Sequence, residues 1–360
     1  MKAVIFAGGV GTRLWPLSRK HTPKQFEKVI GEESTLQLAY NRISPIFSPK
    51  DIFISSGERY REILYSQLPK LPRGNFILEP EMRDVGAAVG LVSAILGQIA
   101  PNEPFIILWS DHLVKNVALF RKILLTVNQI LKKEKEKIVF IGQKSRIATQ
   151  NLGWIEFGNK VKNVDGLPVY EFVSLHYRPT IEDAEKFHVS EKHAWNPGYF
   201  GTTPKFLMSL YKKYAPSMHK ALLEIASSYG TPRFAKTVKK IFPTFEKISF
   251  DNLILERIGA SEGYVIGADF GWSDIGAWEQ LKEALSSTED DNVTKGKVML
   301  NGSKDSLVFN YTEQMVVGID LGDFLVINTE DVVLVCPKNS VPKIKKLVES
   351  LAGTEHEKLT

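Results

Sequence analysis

Glycines and basic residues occur together near the N-terminus, in the segment FAGGVGTRLWPLSRKHTPKQF, which spans residues 6–26. Glycines allow backbone N–H groups to approach a ligand closely, and basic side chains recognise anions. The combination indicates a phosphate-binding loop. Its small and basic residues are Gly8, Gly9, Gly11, Arg13, Arg19, Lys20 and Lys24.

The two common phosphate loops do not match this segment. A dinucleotide-binding fingerprint would place a third glycine at position 14, where Leu14 stands, and a P-loop would require Gly-Lys-Ser/Thr. Gly-Gly-x-Gly alone is also compatible with a simple tight turn. The basic residues and prolines that follow the glycines favour a binding function.

Two aspartates could bind a metal ion. Asp111 follows the apolar run 105–109, and Asp274 lies between an aromatic stretch and a helical pattern that begins near residue 276. A carboxylate at the end of a strand is a hard oxygen ligand that suits Mg²⁺. Each aspartate could instead cap a helix, which is the ordinary structural alternative.

The elements that position these residues alternate between strands and helices. Strand-like runs at 2–6, 51–55, 75–78, 105–109 and 137–142 are separated by helical patterns at 35–46, 59–67, 85–99 and 118–133. This alternation predicts a mostly parallel sheet covered on both faces. Ligands of such sheets bind at the carboxyl ends of strands, so residues 8–24 and 110–112 should face one crevice.

The C-terminal part differs in pattern. Five short strand-like runs follow residue 285 without crossover helices, and then come a helical pattern at 341–351 and a polar tail that we expect to fray. We therefore predict two domains: a catalytic domain over 1–286 and a β-rich domain over 287–360. Before that boundary, proline-initiated helices are expected at 204–215, 216–228 and 232–241, and an edge or hairpin strand at 169–176.

Composition excludes several classes of protein. The 360 residues are 43% hydrophobic, with a net charge of +5 and one cysteine, Cys336. The modest charge permits an anionic small molecule but does not indicate nucleic acid. No intrachain disulfide can form, and no apolar run reaches the length of a signal peptide or membrane span. We expect a cytoplasmic, soluble protein that binds neither nucleic acid nor membrane.

The N-terminal segment resembles the signature of the sugar-1-phosphate nucleotidylyltransferases. Its portions WPLSR (15–19) and PKQF (23–26) are similar to the mannose-1-phosphate guanylyltransferase branch. The resemblance implies that the loop cradles a nucleoside triphosphate, here GTP, and that its cations hold the phosphates. The nucleotide-binding residues implied in this segment are Gly8, Gly9, Gly11, Thr12, Arg13 and Lys24.

Both aspartates fall in further motifs of that family. Asp111 matches the Asp of an Asp-His pair after a strand, and WSDIGAW (272–278) matches Trp-Ser-Asp-x-Gly-x-Trp at five positions. The resemblance implies that Asp111 and Asp274 together bind Mg²⁺ or another divalent cation. The implied catalytic residues are Arg13, Lys24, Asp111 and Asp274.

Other segments resemble the parts of the family that contact the base, the ribose and the sugar. EPEMRDVGAA (79–88) retains Glu79 and Arg83, whereas Asp84 and Val85 replace an Asn and a Thr. The segments NLGWIEFG, WNPGYF and SFDNLILE carry candidate sugar ligands, although Asp251 could simply cap its helix. The implied sugar-phosphate-binding residues are Gly153, Glu156, Arg178, Asn196 and Asp251.

One motif departs from the family. Its Phe-Val-Glu-Lys-Pro falls on LHYRP (175–179), so that Tyr177 replaces the Glu and Arg178 the Lys. Arginine can still hold a phosphate, in a bidentate manner. Loss of the Glu removes an acceptor for sugar hydroxyls. This predicts an altered sugar, a weaker enzyme, or compensation by Glu156 or Asp251.

The resemblance covers nearly the whole chain and implies a complete reaction. The fold would be α/β, with a Rossmann-like mixed, mostly parallel sheet and a small all-β cap, a short left-handed β-helix. The activity would be GTP + α-D-mannose 1-phosphate = GDP-mannose + diphosphate, in a homodimer without the isomerase domain of some bacterial members. The alternatives are a transferase for another hexose or heptose 1-phosphate and a non-catalytic nucleotide-sugar-binding regulator. Retention of both aspartates argues against the regulator.

Overall fold

The computed structural model describes residues 1–9 and 11–360, so Val10 of the glycine-rich segment lies outside the described residues. The chain forms two compact units. Unit 1 consists of Met1–Gly8, Tyr40–Trp109 and Val114–Trp272. Unit 2 consists of Gly9–Ala39, Ser110–Leu113 and Ser273–Thr360.

Strands and helices alternate through most of the chain. The strands are β1 (Lys2–Phe6), β2 (Ile52–Gly57), β3 (Phe76–Glu79), β4 (Phe105–Trp109), β5 (His112–Val114), β6 (Ile138–Gln143), β7 (Gly153–Val164), β8 (Leu167–His176), β9 (His193–Asn196), β10 (Phe200–Thr202), β11 (Gly263–Ala268), β12 (Trp272–Asp274), β13 (Val293–Lys295), β14 (Val298–Asn301), β15 (Leu307–Asn310), β16 (Val316–Ile319), β17 (Phe324–Asn328) and β18 (Val333–Pro337). The helices are α1 (Thr35–Ile43), α2 (Arg61–Gln67), α3 (Asp84–Ile99), α4 (Val117–Lys133), α5 (Ile181–Val189), α6 (Pro204–Tyr214), α7 (Pro216–Ser227), α8 (Phe234–Ile241), α9 (Phe250–Leu253), α10 (Trp278–Leu285) and α11 (Ile344–Ser350).

A ten-stranded mixed sheet forms the centre of unit 1, in the order β11-β8-β7-β9-β6-β10-β4-β1-β2-β3. Strands β4, β1, β2 and β3 pair in parallel, and β1 is apolar and buried after its first residue, as expected where helices cover both faces. An additional parallel pairing between β11 and β6 closes β6, β7, β8, β9 and β11 into a five-stranded barrel. The predicted α/β class is confirmed, and the barrel was not predicted.

Helix α3 is apolar on nearly all sides because it is buried along most of its length. It packs against α6, α7 and α9. The fully buried Tyr211 hydroxyl on α6 donates a hydrogen bond to the Gly86 carbonyl at 2.6 Å, which satisfies its polar group inside the apolar core.

The sequence predicted most of the longer elements to within a few residues but missed α5, α9, several short strands and the long strand β7. This strand has 12 residues, and its second half alternates exposed and partly exposed positions with register shifts against β8. A bulged strand with a solvated face lacks a regular apolar period, so periodicity does not reveal it.

Short parallel strands form the β-rich part of unit 2. Strands β13, β15 and β17 stack in one sheet with β18 antiparallel at its edge, and β14 pairs with β16 in a second sheet. The Asn328 side chain donates to the Asn310 Oδ1 atom at 3.0 Å between adjacent layers. Stacked parallel strands agree with a β-rich cap, whereas the left-handed β-helix is not confirmed.

The C-terminal tail does not fray, so that prediction was wrong. A short 3₁₀ helix, Glu357–Leu359, ends the chain, and the Trp15 indole N–H donates to the Leu359 carbonyl at 2.7 Å. The Trp278 indole N–H in turn donates to the Trp15 carbonyl at 3.0 Å. The apolar sides of both tryptophans belong to the core of unit 2, and this packing outweighs the polar composition of the tail.

None of the helices in the described part of the chain combines the length and apolarity needed to cross a bilayer.

A buried cation in unit 2 gives a stability prediction. The Lys282 side chain on α10 is 4% exposed and pairs with Asp305, which also binds Lys338. Asp305→Asn would leave the Lys282 ammonium without its charge partner, at a cost of about 2–4 kcal/mol in the free energy of unfolding. Asparagine tolerates the positive φ of 50° at this position, so backbone strain should not contribute.

Urea unfolding measures this cost, with Glu313→Gln as the matched control. Glu313 pairs with Lys297 on the surface of the same β-rich region and is 94% exposed, so its loss should change stability far less than the loss of Asp305. Equal effects of the two substitutions would contradict the prediction.

Candidate active site

A buried lysine lies at the centre of the first cluster of candidate residues, in unit 2. The Lys24 Nζ atom is 2.7 Å from Asp111 Oδ2 and donates to the Ile275 carbonyl at 2.9 Å. Burial alone would raise the pKa of Asp111, but the Lys24 ammonium and His112 outweigh it and lower the pKa below its usual range. The pair is therefore charged, and Asp111 is a carboxylate.

The glycine-rich segment approaches Lys24 closely at Gly11. Gly11 has φ +64°, and a Cβ atom there would lie 2.8 Å from Lys24 Cγ and Cδ. Only glycine fits this conformation and this distance without displacing the lysine. Thr12 and Arg13 follow in a 3₁₀ helix, Thr12–Leu14, and the Gly9 carbonyl accepts a hydrogen bond from the Gln25 side chain at 3.1 Å.

Asp274 reaches the same cluster through a two-stranded ribbon. Strand β12 pairs with β5, and the Ile275 N–H donates to the Asp111 carbonyl at 3.1 Å. Asp111 and Asp274 are 163 positions apart in the sequence, and this ribbon brings their backbones together. The Asp274 Oδ1 atom is buried and has no hydrogen-bond partner among the described residues.

Two side chains that the sequence did not single out lie beside Asp274. Buried oxygens of Glu279 and Gln280 also have no partner within the described part of the chain. A Cβ atom on Gly276 would lie 2.7 Å from Asp274 Oδ1 and Gln280 Oε1, and 3.0 Å from Arg13 Nη2. Burial raises the pKa of Glu279 although Arg13 lowers it. Glu279 and Gln280 are hard to identify as site residues from the sequence, because polar residues are common in the first turn of a helix.

This set of donors fits a hard divalent cation. Such cations are bound by carboxylate and amide oxygens. Asp274 presents an unpartnered buried oxygen, Asp111 is ionised, and the Asp111 charge is balanced by the Lys24 ammonium. A buried carboxylate oxygen without a partner is costly unless a cation or water occupies the space beside it.

A second cluster lies in unit 1, around Asn196 and Asp251. The Asn196 Nδ2 atom is 3.3 Å from Asp251 Oδ1, and Asn196 Oδ1 accepts from the Gly198 N–H at 2.9 Å. Gly153 is opposite Asn196 in the β7–β9 ladder, and a Cβ atom there would contact Asn196 at 3.4 Å. Burial and the neighbouring Glu256 raise the pKa of Asp251 to about 6.

Asp251 does not cap its helix. Ser249 is the N-cap of α9, and its hydroxyl accepts from the Asn252 N–H at 3.1 Å. The Asp251 carboxylate is therefore free of capping and available to a ligand.

Arg178 carries an available guanidinium near this second cluster. Its charge lowers the pKa of Asp251, and it lies 5.2 Å from the Tyr177 ring centroid. It forms no ion pair with the described residues. The Tyr177 N–H donates to Glu256 Oε1 at 3.0 Å, so a carboxylate lies beside the backbone of this motif.

The structure does not bring Glu156 to this cluster. On β7, Glu156 is opposite Ser174 of β8 and His193 of β9, whereas Gly153 is opposite Asn196. Side chains alternate between the two faces of a sheet, so Glu156 and Asn196 point to opposite faces. Strand alternation thus contradicts the expectation that Glu156 joins Asn196 at the sugar.

Glu79 and Arg83 lie near the end of β3, also in unit 1. The Ser55 hydroxyl donates to Glu79 Oε1 at 3.2 Å, and burial raises the pKa of Glu79 to about 7. Arg83 pairs with Glu81 at 2.8 Å, and its buried Nε has no partner among the described residues. Gly8 follows β1 and is exposed. The unpartnered Arg83 Nε and the Glu79 carboxyl could therefore form hydrogen bonds with a polar ligand.

Known proteins with similar sequences share most of the chain. A "Mannose-1-phosphate guanylyltransferase" of Escherichia coli is 31% identical over 355 residues, which cover 97% of this chain and 75% of that protein. "Mannose-1-phosphate guanylyltransferase RfbM" of Salmonella typhimurium is 30% identical and covers 97% of this chain and 72% of that protein.

A solved structure shows the same fold. The Thermus thermophilus protein named "mannose-1-phosphate geranyltransferase" superposes with a TM-score of 0.86 at 24% identity, covering 97% of this chain and 98% of that one. The family described as "Nucleotidyl transferase" matches residues 2–291. The clustered lysine, aspartates and glycine-rich segment lie within that match, and the chain belongs to the nucleotidyl transferase family.

Proposed function

We propose that this protein is a mannose-1-phosphate guanylyltransferase, which converts GTP and α-D-mannose 1-phosphate to GDP-mannose and diphosphate. The observation that carries the proposal is the cluster in unit 2, where Asp111, the ion-paired Lys24 and the unpartnered oxygen of Asp274 lie together. The names of the relatives supply the choice of guanine and mannose.

The glycine-rich segment and two cations are proposed to hold the triphosphate. Backbone N–H groups at Gly8, Gly9, Gly11 and Thr12 contribute partial positive charge, and the side chains of Arg13 and Lys24 contribute full charges. A sugar phosphate oxygen attacks the α-phosphorus in line, and the bond to diphosphate breaks. The attacking phosphate is already nucleophilic, so these residues act by positioning and by neutralising charge.

Asp111 and Asp274 are proposed to hold Mg²⁺ or another divalent cation. When bound, the cation neutralises phosphate charge as a Lewis acid. Asp111 would contribute a carboxylate oxygen to this site, and the adjacent Lys24 ammonium would neutralise phosphate charge. The buried Asp274 oxygen, which has no hydrogen-bond partner among the described residues, would be the second ligand.

Arg178, Asn196, Asp251 and Gly153 are proposed to bind the sugar phosphate. The Arg178 guanidinium would bind the phosphate through two hydrogen bonds, where a lysine would act as a point charge. Asn196 offers both donors and acceptors to sugar hydroxyls. Gly153 leaves space beside Asn196 that a larger residue would fill.

Glu79 and Arg83 are proposed to contact the base and ribose of the nucleotide. A carboxyl with a pKa of about 7 can accept or donate a hydrogen bond near neutral pH. Arg83 keeps a donor available on its Nε atom.

A second candidate function is guanylyl transfer to another hexose or heptose 1-phosphate. Tyr177 replaces the glutamate of the family motif, and its backbone N–H contacts a carboxylate, that of Glu256. A phenol in place of a carboxylate would offer different hydrogen bonds to sugar hydroxyls. A non-catalytic regulator is less well supported, because it would have no use for an ionised Asp111 beside an unpartnered Asp274.

Four further features belong to the proposal. The catalytic domain would comprise residues 1–286 and the β-rich domain residues 287–360. The stacked strands of the latter would coil as a short left-handed β-helix. The chain would act as a homodimer in the cytoplasm.

Diphosphate release tests the function. The chain is incubated with Mg²⁺, one nucleoside triphosphate and one sugar 1-phosphate at a time, and GTP with mannose 1-phosphate should give the fastest release. Asp111→Asn and Asp274→Asn should each raise the barrier by about 3–5 kcal/mol, which is on the order of a hundred- to a thousandfold or more in turnover.

The outcomes separate the candidates. Release with another sugar phosphate but not with mannose 1-phosphate would favour the second function. Asp320→Asn, a substitution in the exposed β-rich region, serves as the control and should leave turnover unchanged. Near-normal turnover in both aspartate variants would refute the cation site.

Gly276→Ala tests the space beside Asp274. Its methyl group would lie 2.7 Å from Asp274 Oδ1, so it should displace that carboxylate and lower kcat by at least about tenfold with little loss of stability. Gly97→Ala is the control, because no atom lies within 4 Å of the Cβ that it adds on α3. Steady-state kinetics of the two variants should differ accordingly; equal rates would show that the space is not used.

Glu79→Gln tests the raised pKa of Glu79. A carboxyl that binds its proton more tightly in the folded state destabilises that state as pH rises from about 4.5 to about 7. The variant should therefore gain about 3 kcal/mol in stability over the natural protein at pH 8, and almost nothing at pH 4.5, because a pKa difference of one corresponds to about 1.4 kcal/mol. Urea unfolding at both pH values measures the difference, and parallel pH profiles would contradict it.

A further inference from the structure

Three side chains of the kind that bind transition metals meet on neighbouring strands of unit 1. Glu156 on β7 is directly opposite His193 on β9, and His176 on β8 is opposite Trp154, two residues before Glu156. All three therefore project from the same face of the sheet. One ligand atom from each lies within 4.8 Å of the other two.

The contacts around Glu156 hold the group in place. The Glu156 Oε2 atom is 3.7 Å from His176 Nε2, and the Ser174 hydroxyl donates to Glu156 Oε2 at 2.7 Å. Ser174 Oγ also lies 2.9 Å from His176 Nε2. A ligating carboxylate that accepts a hydrogen bond from a neighbour is the usual arrangement around protein-bound metals.

Helix α5 supports both imidazole rings from outside. The Phe187 ring stacks on His193 at 4.3 Å between centroids with 12° between planes, and lies 4.8 Å from His176. The two rings are thus restrained by the sheet on one side and by an aromatic ring on the other. Ligands on rigid strands with packed rotamers favour a preformed site.

His193 distinguishes this group from an ordinary ion pair. A single histidine beside a glutamate is a common salt bridge once the histidine is protonated. Here a second imidazole is present, and its Nδ1 atom is buried without a hydrogen-bond partner among the described residues.

We propose that Glu156, His176 and His193 form a binding site for a divalent first-row transition metal, with Zn²⁺ as the preferred ion. Two imidazole nitrogens and one carboxylate oxygen are a ligand set that Zn²⁺ uses. Tetrahedral ligands at zinc distances are about 3.3 Å apart, so the three atoms would have to close by at most about 1.5 Å. Glu156 and His176 are 33% and 38% exposed, and water can supply the fourth ligand.

This site goes beyond nucleotidyl transfer. It uses nitrogen ligands and lies on the face of β7 and β9 opposite to Gly153 and Asn196, so it is chemically and spatially separate from the proposed sugar contacts. A bound metal would link the three strands β7, β8 and β9 in the folded state only, so binding should raise the unfolding temperature of the chain. His176 also lies two positions before Arg178 in the sequence.

Zinc titration of the whole chain tests the site. The metal-free protein is titrated with Zn²⁺ against a chromophoric chelator in excess Mg²⁺, which occupies oxygen-only sites. One Zn²⁺ should bind per chain, and X-ray absorption should show nitrogen and oxygen ligands at about 2.0–2.1 Å without sulfur. His176→Ala and His193→Ala should each weaken binding at least a hundredfold, and Ser174→Ala about tenfold or more.

Two controls make the result decisive. His356→Ala removes a surface histidine that also lies beside a glutamate, with 3.6 Å between His356 Nε2 and Glu355 Oε1 but no second histidine in the group, and should bind zinc normally. Asp274→Asn should also retain the ion, which separates this site from the proposed magnesium site. Folding of each variant is checked by circular dichroism.

The proposal would be overturned by no stoichiometric zinc binding in the natural protein. It would also be overturned by undiminished binding in a folded His176→Ala/His193→Ala double variant, or by loss of zinc in Asp274→Asn alone. None of these outcomes bears on diphosphate release, so the zinc site and the proposed function can fail independently.

Discussion

The ion pair between Lys24 and Asp111 constrains the whole of the first cluster. A buried ammonium is stable only when its charge and its donors are satisfied, and here the Asp111 carboxylate and the Ile275 carbonyl do so. The Lys24 side-chain carbons leave space only for a glycine at position 11. The pairing of β5 with β12 holds the Ile275 carbonyl where it accepts the hydrogen bond from Lys24. One charge pair thus accounts for the position of a loop, a ribbon and a second aspartate.

Strand alternation imposes a second constraint, in unit 1. The same stretch of β7 and β9 presents Gly153 and Asn196 to one face and Glu156 and His193 to the other. The proposed sugar contacts and the proposed zinc ligands can therefore share β7 and β9 without sharing a side chain. The Asn196 amide lies on one face, and the Glu156 carboxylate and the two imidazoles lie on the other.

Much of the fold and the first cluster could be predicted from the sequence. Apolar runs and helical periodicity give most elements of the parallel sheet, and spacing alone suggests that Asp111 follows a strand. What could not be predicted depends on long-range pairing. The barrel closure between β6 and β11, the irregular strand β7 and the position of Glu279 beside Asp274 leave no local pattern. Glu156 was misplaced because a motif fixes sequence position but not the face of a strand.

The hydrogen bond from the Trp15 indole to the Leu359 carbonyl joins residues 344 positions apart. Unit 2 is assembled from three segments, the first of which begins at Gly9 and the last of which ends at Thr360. During synthesis on the ribosome, the first segment emerges long before its packing partners exist. Its apolar residues Leu14 and Trp15 therefore complete their packing only after the last segment of unit 2 has been synthesised. The assembly of unit 2 is thus a late event in folding, and until then its first segment exposes apolar surface of the kind that aggregates.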